Sequence, residues 1–155
     1  MAVIRHLVLS ILVLLAACSS PPQELAVNGP LPPQPPGTAR LIFYRTQEIY
    51  DTTAMSTVFL NGTATGVSQL GAVFYRDVAP ARYDISVWSP RSYPNQFKTV
   101  MVKAGDVFYI RIDTLPKLPC SGAPAEPCFA DTFIVLVVDP AIGFQQIQGL
   151  RLIAG

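Results

Sequence analysis

The chain has 155 residues, of which 50% are hydrophobic, and its formal net charge at pH 7 is +1. This length fits a single domain, and the hydrophobic content excludes a disordered chain. A charge so close to zero argues against a protein that binds nucleic acid by releasing counterions. The one histidine, His6, stands so near the N-terminus that any imidazole chemistry depends on the fate of the first residues.

The N-terminus has the pattern of an export signal. Arg5 supplies a positive charge, the apolar run 7–15 follows, and the small residues Ala16 and Ala17 come next. The run is too short to span a bilayer, which takes about 20 residues. We therefore predict a signal peptide over residues 1–17 that is cleaved after Ala17, with a buried core helix as the alternative. Cleavage would remove Arg5 and His6, so the mature chain would have no net charge and no histidine.

The junction after this run, Leu15-Ala16-Ala17-Cys18, resembles the bacterial lipobox, in which the cysteine is acylated and becomes the new N-terminus. The resemblance implies a lipid anchor on Cys18. Several acyl chains give durable membrane anchoring, whereas one chain gives marginal binding. Ser19 follows the cysteine where aspartate would favour the inner membrane, which resembles the outer-membrane class. We expect an outer-membrane lipoprotein on the periplasmic face, rather than on the cell surface.

Residues 18–37 are rich in proline and carry one charge. Proline-rich chains extend as polyproline II at about 3.1 Å per residue, so this segment is expected to be a stiff tether that holds the domain away from the membrane. A ligand for an SH3-type domain is the alternative.

From Thr38 onward the hydrophobic pattern changes to period two, the pattern of β-strands. Asn61-Gly62 is typical of a type I′ hairpin, and the last apolar run has hydrophobic residues on both faces, as in a central strand covered on both sides. After Pro140 the tail fits either one short helix or a last edge strand. The predicted strands are 40–45, 55–60, 63–68, 71–78, 83–88, 97–103, 107–113 and 133–138. Short strands at this spacing predict an all-β domain over residues 38–155, a single antiparallel β-sandwich of about seven or eight strands of transthyretin or immunoglobulin type.

Several landmarks carry a family resemblance. They are Gly37-Thr38-Ala39-Arg40-Leu41-Ile42-Phe43-Tyr44-Arg45, Val58-Phe59-Leu60-Asn61-Gly62, Phe74-Tyr75-Arg76-Asp77-Val78-Ala79-Pro80-Ala81-Arg82-Tyr83 and Ala104-Gly105-Asp106-Val107-Phe108-Tyr109-Ile110. Over about residues 37–140 the chain resembles a family of uncharacterised bacterial lipoprotein domains with a transthyretin-like (prealbumin-like) sandwich. One turn departs from the family's Pro-Gly-x-Tyr, because Ala81 replaces the glycine. The resemblance implies a fold and no common activity.

Cys120 and Cys128 lie in a loop rich in proline and glycine. In an exported domain this pair indicates a disulfide, which would stabilise the fold by about 2.5 kcal/mol in the chain-entropy model. A metal or redox pair is the alternative, but zinc needs four ligands and the spacing is not C-x-x-C. We expect no metal and no cofactor.

The mature chain offers no nucleophile with an evident base. Ser68 lies in Gly66-Val67-Ser68-Gln69-Leu70-Gly71, which is one residue too long for a nucleophile elbow and is followed by a strand. Without histidine, no serine–histidine or cysteine–histidine relay can form. Aspartates at predicted strand ends lack the spacing of a calcium loop. We therefore predict no catalytic residues and a protein that is not an enzyme.

The candidate binding residues are Trp88, Arg91 and Tyr93, because Trp, Tyr and Arg are enriched in binding hot spots. Trp88 stands on the polar face of its strand, yet we expect a second sheet or the C-terminal segment to cover it, with an exposed contact as the alternative. The sequence favours a non-catalytic adaptor or structural module that binds the membrane and an envelope protein. A small-ligand or glycan pocket near Trp88 and Tyr93, or a carboxylate-dependent hydrolase, is the alternative.

Overall fold

The structure is a computed structural model that describes residues 25–47, 53–90, 94–115 and 131–154. Its elements in chain order are β1 (Leu25–Ala26), β2 (Ala39–Arg45), β3 (Ser56–Leu60), β4 (Thr63–Ser68), β5 (Ala72–Val78), β6 (Ala81–Val87), β7 (Phe97–Val102), β8 (Val107–Leu115), β9 (Thr132–Val138), α1 (Pro140–Gln146) and β10 (Arg151–Leu152). Within these ranges, no helix is both long and apolar enough to cross a membrane.

The strands form two sheets that pack face to face. Sheet A has the order β1-β10-β5-β2-β8-β9, and sheet B has the order β4-β3-β6-β7. The all-β sandwich is confirmed, and the eight longer strands correspond to the eight predicted ones. Sheet A is mixed rather than purely antiparallel, because β2 runs parallel to β8 and β5 runs parallel to β10. Neither pair is joined by a hairpin, so the chain is free to return in the same direction.

One hydrophobic core fills the space between the two sheets. Phe43 and Phe74 stack there with their ring centroids 5.0 Å apart. The predicted alternation of β6 is confirmed, since Ile85 and Val87 are buried while Asp84 is exposed. The buried residues of this core are Ala39, Leu41, Phe43, Val58, Phe74, Ile85, Val87, Val100, Val102, Ile110, Ile112, Phe133 and Val135.

The strand covered on both sides is β2, in which all seven residues are buried. The expectation that the last apolar run is a central strand is wrong, because β9 lies at the edge of sheet A and Val137 is 44% exposed. Apolar residues on both faces indicate contact on both faces, but they do not indicate how many strands lie on either side. β2 has β5 and β8 as neighbours, whereas β9 pairs only with β8 among the described strands.

The face of sheet A that points away from sheet B is covered by α1 and by residues 25–37, which we call the strap. Val27 is 6% exposed, and its N–H donates to the carbonyl of Leu150 at 2.8 Å. Leu31 packs against the same cluster as Val27 and Ile147. The prediction of a free tether over residues 18–37 is therefore wrong for the strap, because its apolar side chains gain more by burial against sheet A than by extension into solvent.

Arg40 holds the strap to the sheet. Its guanidinium donates to both carboxylate oxygens of Asp77, at 2.6 and 2.8 Å, and lies 4.2 Å from the centroid of the Tyr75 ring. It also donates to the carbonyl oxygens of Pro32 and Pro33 in the strap. The hydrogen bond with Asp77 raises the pKa of Arg40 above its ordinary value, against the opposing effect of burial.

The C-terminal tail contains both a helix and a strand, because α1 is followed by β10, but β10 lies between β1 and β5 and is not the predicted edge strand. Asp139 caps the helix by accepting a hydrogen bond from the N–H of Ala141 at 2.9 Å, and Pro140 occupies the first turn, where its missing N–H costs nothing. β10 then pairs with β1 of the strap and with β5. The tail thus ties the strap to sheet A.

Two turns test the local predictions. Asn61 and Gly62 have φ angles of 51° and 78°, which confirms the type I′ hairpin between β3 and β4. The described non-glycine residues with positive φ are Asn61 and Asn95, so Ala81 avoids the left-handed region. The turn before β6 therefore does not need the glycine of the family that the sequence resembles.

Candidate binding face

Three of the large hydrophobic side chains that are exposed on the outer face of sheet B lie on or next to β6 and β7. Trp88 is 55% exposed, Phe97 is 67% exposed and Met101 is 68% exposed. We call these three residues the apolar face. The expectation that Trp88 belongs to the core is wrong, because its strand position points it away from sheet A, and sheet A is the layer that supplies the core.

Trp88 is fixed through its backbone while its ring stays exposed. Its N–H donates to the carbonyl of Thr57 at 2.8 Å, and its own carbonyl accepts a hydrogen bond from the hydroxyl of Ser56, a buried residue. Both backbone groups are thus held by the neighbouring strand β3. A side chain on such a rigid support loses little further backbone freedom when it binds a partner.

The register of β6 and β7 brings the apolar face together. Phe97 pairs with Ser86, and Met101 pairs with Arg82. Trp88 follows Ser86 by two positions on the same face, so Phe97 and Trp88 are diagonal neighbours, a separation that aromatic side chains bridge. In the sequence, Phe97 and Met101 share a parity with Thr99, whereas Lys98 shares the other parity with Val100 and Val102, so alternation alone does not indicate which face of β7 is exposed.

A polar group separates Phe97 from Met101 along β7. The hydroxyl of Thr99 donates to the carboxylate of Asp84 at 2.6 Å, and Arg82 lies 3.4 Å from the same carboxylate oxygen. The hydrogen bond from Thr99, with a smaller contribution from Arg82, holds the pKa of Asp84 below its ordinary value. The carboxylate is therefore charged at neutral pH and lies beside the hydrophobic side chains.

A groove of about 240 Å³ lies on the far side of sheet A, between the strap and α1. Its floor includes Ile42 and Tyr109, and its walls are residues 30–34 of the strap and Phe144 and Ile147 near α1. This groove was not predicted, because a stiff tether extended away from the domain would form no wall of a groove. Val27 and Leu31, two apolar residues within the proline-rich segment, were the available signal.

A polar cluster anchors the end of α1 above sheet A. The hydroxyl of Tyr44 donates to the side-chain oxygen of Gln146 at 2.6 Å, and Arg111 donates to the same oxygen at 3.3 Å. Arg111 also forms an ion pair with Asp113 at 2.8 Å. These groups bind one another, so the cluster serves to hold the helix rather than to present a reactive group.

Ser68, the serine of the segment that is one residue too long for a nucleophile elbow, is 4% exposed, and its hydroxyl has no hydrogen-bond partner among the described residues. The space beside it does not admit a water molecule. Nothing in the described part of the chain activates this hydroxyl. Over the same ranges, no group of three histidine, cysteine, aspartate or glutamate residues is placed to hold a metal ion.

The other predicted site residues lie outside the described ranges. They are Ala17, Cys18, Arg91, Tyr93, Cys120 and Cys128. The cleavage site, the lipid attachment and the disulfide therefore stay predictions. Of the three candidate binding residues, Trp88 is the one that the structure describes, and Phe97 and Met101 are additions that the structure makes.

Comparison with protein families finds one match: the model of a family described as "Protein of unknown function (DUF2846)" matches residues 35–122. The match spans more than half of the chain and includes β2 to β8, and with them the apolar face. The strap residues 30–34 and α1, which form the walls of the groove, lie beyond it. No curated protein and no solved structure matches the chain.

Proposed function

The chain belongs to the DUF2846 family, whose function is unknown, and we propose that it is a lipid-anchored, non-catalytic binding module of the bacterial cell envelope. In this proposal Cys18 carries the lipid, and the sandwich, of the transthyretin-like type that the sequence resembles, presents the apolar face to an envelope protein. The anchored domain faces the periplasm from the outer membrane. The observation that carries the binding role is the exposure of Trp88, Phe97 and Met101 on one side of a rigid sheet.

The apolar face has the composition of a binding surface. Aromatic residues and methionine are enriched in protein interfaces, whereas a side chain with no partner in the cell gains nothing from exposing so much apolar area. The charged Asp84 and Arg82 lie among the hydrophobic residues, because Asp84 pairs with Thr99 between Phe97 and Met101. Hydrophobic side chains interspersed with polar groups that can form hydrogen bonds support a protein partner.

Two of the described charged clusters support a non-catalytic role, because they hold the fold together. Arg40 and Asp77 fix the strap, and Arg111 and Asp113 stand beside the bond that fixes α1. The exposed carboxylate of Asp84 is bound by Thr99 and Arg82.

The docked strap changes the expected reach of the domain from the membrane. Seven residues, 18–24, precede the strap in the mature chain that would begin at Cys18. Seven residues span at most about 25 Å, so the proposed anchor keeps the sandwich close to the bilayer surface. A partner of the apolar face is then a membrane protein or another protein held near the membrane.

A second candidate function rests on the groove between the strap and α1. Its volume of about 240 Å³ and its walls of proline and aromatic side chains fit a small apolar ligand. The pocket predicted near Trp88 and Tyr93 would lie elsewhere, on the side of sheet B. The groove is therefore a different site from the one that the sequence suggested.

A crosslinking experiment on native membranes distinguishes the two proposed functions. Trp88→Ala removes the largest residue of the apolar face, and Phe144→Ala, the matched control, removes an exposed aromatic residue of the groove. We expect Trp88→Ala to lose the crosslinked envelope protein and Phe144→Ala to keep it, with both unfolding free energies within about 0.5 kcal/mol of the wild type. Retention of every crosslink by Trp88→Ala would contradict the proposal, and loss in Phe144→Ala alone would favour the groove.

A further inference from the structure

We propose that two copies of this chain pair through the outer edges of their β7 strands, antiparallel, with a two-fold axis at Thr99. The pairing goes beyond the proposed function, because it joins the backbone edge of sheet B to a second copy; it uses Phe97 and Met101 of the apolar face along that edge and leaves Trp88 for a different protein. Sheet B ends at β7, and no described strand pairs with the other side of that strand. Joining the two edges would make one continuous eight-stranded sheet.

The alternation of hydrogen-bonded and non-bonded pairs between β6 and β7 shows which backbone groups of β7 point away from β6. The N–H of Val87 donates to the carbonyl of Gln96, the residue opposite it, at 3.2 Å. Opposite pairs in an antiparallel ladder alternate between bonded and non-bonded, so residues 96, 98, 100 and 102 turn their N–H and C=O toward β6. Phe97, Thr99 and Met101 therefore turn theirs away from β6, toward the edge with which no described strand pairs.

A two-fold axis at Thr99 pairs all of these outward groups. It places Thr99 opposite Thr99 of the second copy, and Phe97 opposite Met101 of the second copy. Each of the three outward residues then both donates and accepts, which gives six backbone hydrogen bonds across the edge. An isologous interface needs this kind of self-complementary patch.

The neighbouring registers are worse because they use groups that are already bonded. A shift in one direction sets Met101 opposite Asn95, whose carbonyl accepts from the N–H of Val135 at 2.8 Å. A shift in the other direction sets Phe97 opposite Lys103, whose N–H donates to the carboxylate of Asp106 at 2.8 Å. The local structure thus selects the axis at Thr99.

The side chains match in the same register. Phe97 and Met101, which are 67% and 68% exposed, would cover each other twice across the axis, and contacts between methionine sulfur and aromatic rings are favourable. Lys98 would lie opposite Val100 of the second copy. Arg82 and Asp84 stand one strand behind the edge, so no like charges lie directly opposite each other.

The expected interface is small. One strand edge with these side chains buries less than the roughly 1,000 Å² that a stable soluble complex needs. Confinement of both copies to one membrane raises their effective concentration, which favours a weak interface. This argument about affinity rests on the proposed lipid anchor, whereas the argument about register rests on the sheet alone.

Cysteine crosslinking of the full chain in native membranes tests the pairing. Thr99→Cys places two thiols opposite each other within disulfide range, and Val67→Cys, an exposed residue on the same outer face but at the β4 edge, is the matched control. All variants keep Cys18, Cys120 and Cys128, so their background is common. Under mild oxidation we expect dimers from Thr99→Cys several-fold above those from Val67→Cys. Equal yields would overturn the proposal.

The register is tested by mixing two variants. Phe97→Cys and Met101→Cys, expressed together, should crosslink to each other more than either does to itself. In the proposed register, two copies of residue 97 lie about 13 Å apart along the strands, which is too far for a disulfide. If residue 97 crosslinks to itself as readily as to residue 101, the axis at Thr99 is wrong.

A proline substitution removes the pairing without removing the strand. Thr99→Pro deletes an outward N–H, and proline is tolerated in an edge strand at such positions. Thr99→Pro is introduced into the Val67→Cys protein and into the coexpressed Phe97→Cys and Met101→Cys proteins. We expect each of these proteins to unfold cooperatively. We expect the crosslink between residues 97 and 101 to fall to the level of the Val67→Cys control. Persistence of that crosslink would overturn the pairing. The envelope-partner crosslink of Trp88 is a separate readout, so either proposal can fail alone.

Discussion

Tyr44 is a buried residue whose protonation state is coupled to folding. It is 2% exposed, and its hydroxyl donates to Gln146 at 2.6 Å. Burial raises the pKa of Tyr44 to about 12, with nearby Arg111 partly opposing the effect. The folded state therefore binds this proton more tightly than the unfolded state does. The stabilisation is complete below the unfolded pKa near 10 and is lost as the pH rises through the folded value.

We predict that Tyr44→Phe weakens the dependence of stability on alkaline pH. At neutral pH the variant should lose about 1 kcal/mol through the missing hydrogen bond to Gln146. Between about pH 10 and pH 12 the wild type should lose roughly 2 kcal/mol that the variant does not. Urea unfolding at a series of pH values measures both, and parallel curves for the two proteins would contradict the assignment.

At the scale of elements, α1 packs close to sheet A because Gly143 has no side chain. A β-carbon at Gly143 would overlap Cβ and Cγ of Tyr109 and lie 2.6 Å from its Cδ1. Gly143 is also the buried residue of the helix. The contact lets Tyr109 and Ile147 join the cluster that the strap completes. A helix with alanine here would have to stand further from the sheet.

We predict that Gly143→Ala destabilises the protein by about 1–2 kcal/mol, although alanine favours an isolated helix by about 1 kcal/mol. Gln145→Ala, at an exposed position of the same helix, should stay within about 0.5 kcal/mol of the wild type. Thermal unfolding of both variants checks this. A Gly143→Ala protein more stable than the wild type would mean that helix propensity outweighs the contact with Tyr109.

At the scale of the whole molecule, the strap makes the sandwich three layers deep. Sheet B, sheet A and the layer of strap and α1 stack in that order, which explains why β2 is buried on both faces. The apolar face and the groove consequently lie on opposite sides. If Cys18 is the lipid site, the membrane attaches through the layer that contains the strap.

We predict that Cys18→Ser leaves an uncleaved precursor, because the thiol that accepts the lipid is gone. Cys120→Ser, the matched control, should be cleaved and remain in the membrane fraction, while losing the disulfide that we predict with Cys128. Membrane fractionation and mass spectrometry without reductant measure both outcomes. Mature, membrane-bound Cys18→Ser protein would refute the lipid anchor, and free thiols at residues 120 and 128 in the wild type would refute the disulfide.

One residue of the candidate site, Trp88, could be predicted from the sequence, but its exposure could not. Alternation placed Trp88 on the polar face of β6, and its register with β7 then added Phe97 and Met101. Whether a further layer covers that face depends on segments that are distant in the chain. The alternation of residues along one strand does not show where those segments lie. The strap was missed for the same reason, since Val27 meets its partner Leu150 only after folding.

The sequence by itself determined the eight longer strands and the Asn61-Gly62 hairpin, because these depend on neighbours a few residues apart. Only the tertiary structure decided that β2 is central and β9 is at an edge, that the strap docks, and that Trp88 is exposed. Each of these depends on long-range contacts, such as the pairing of Arg40 with Asp77 across 37 positions of the chain. Local sequence patterns determine which side chains a segment presents on each face, whereas the tertiary fold determines which other segment contacts them.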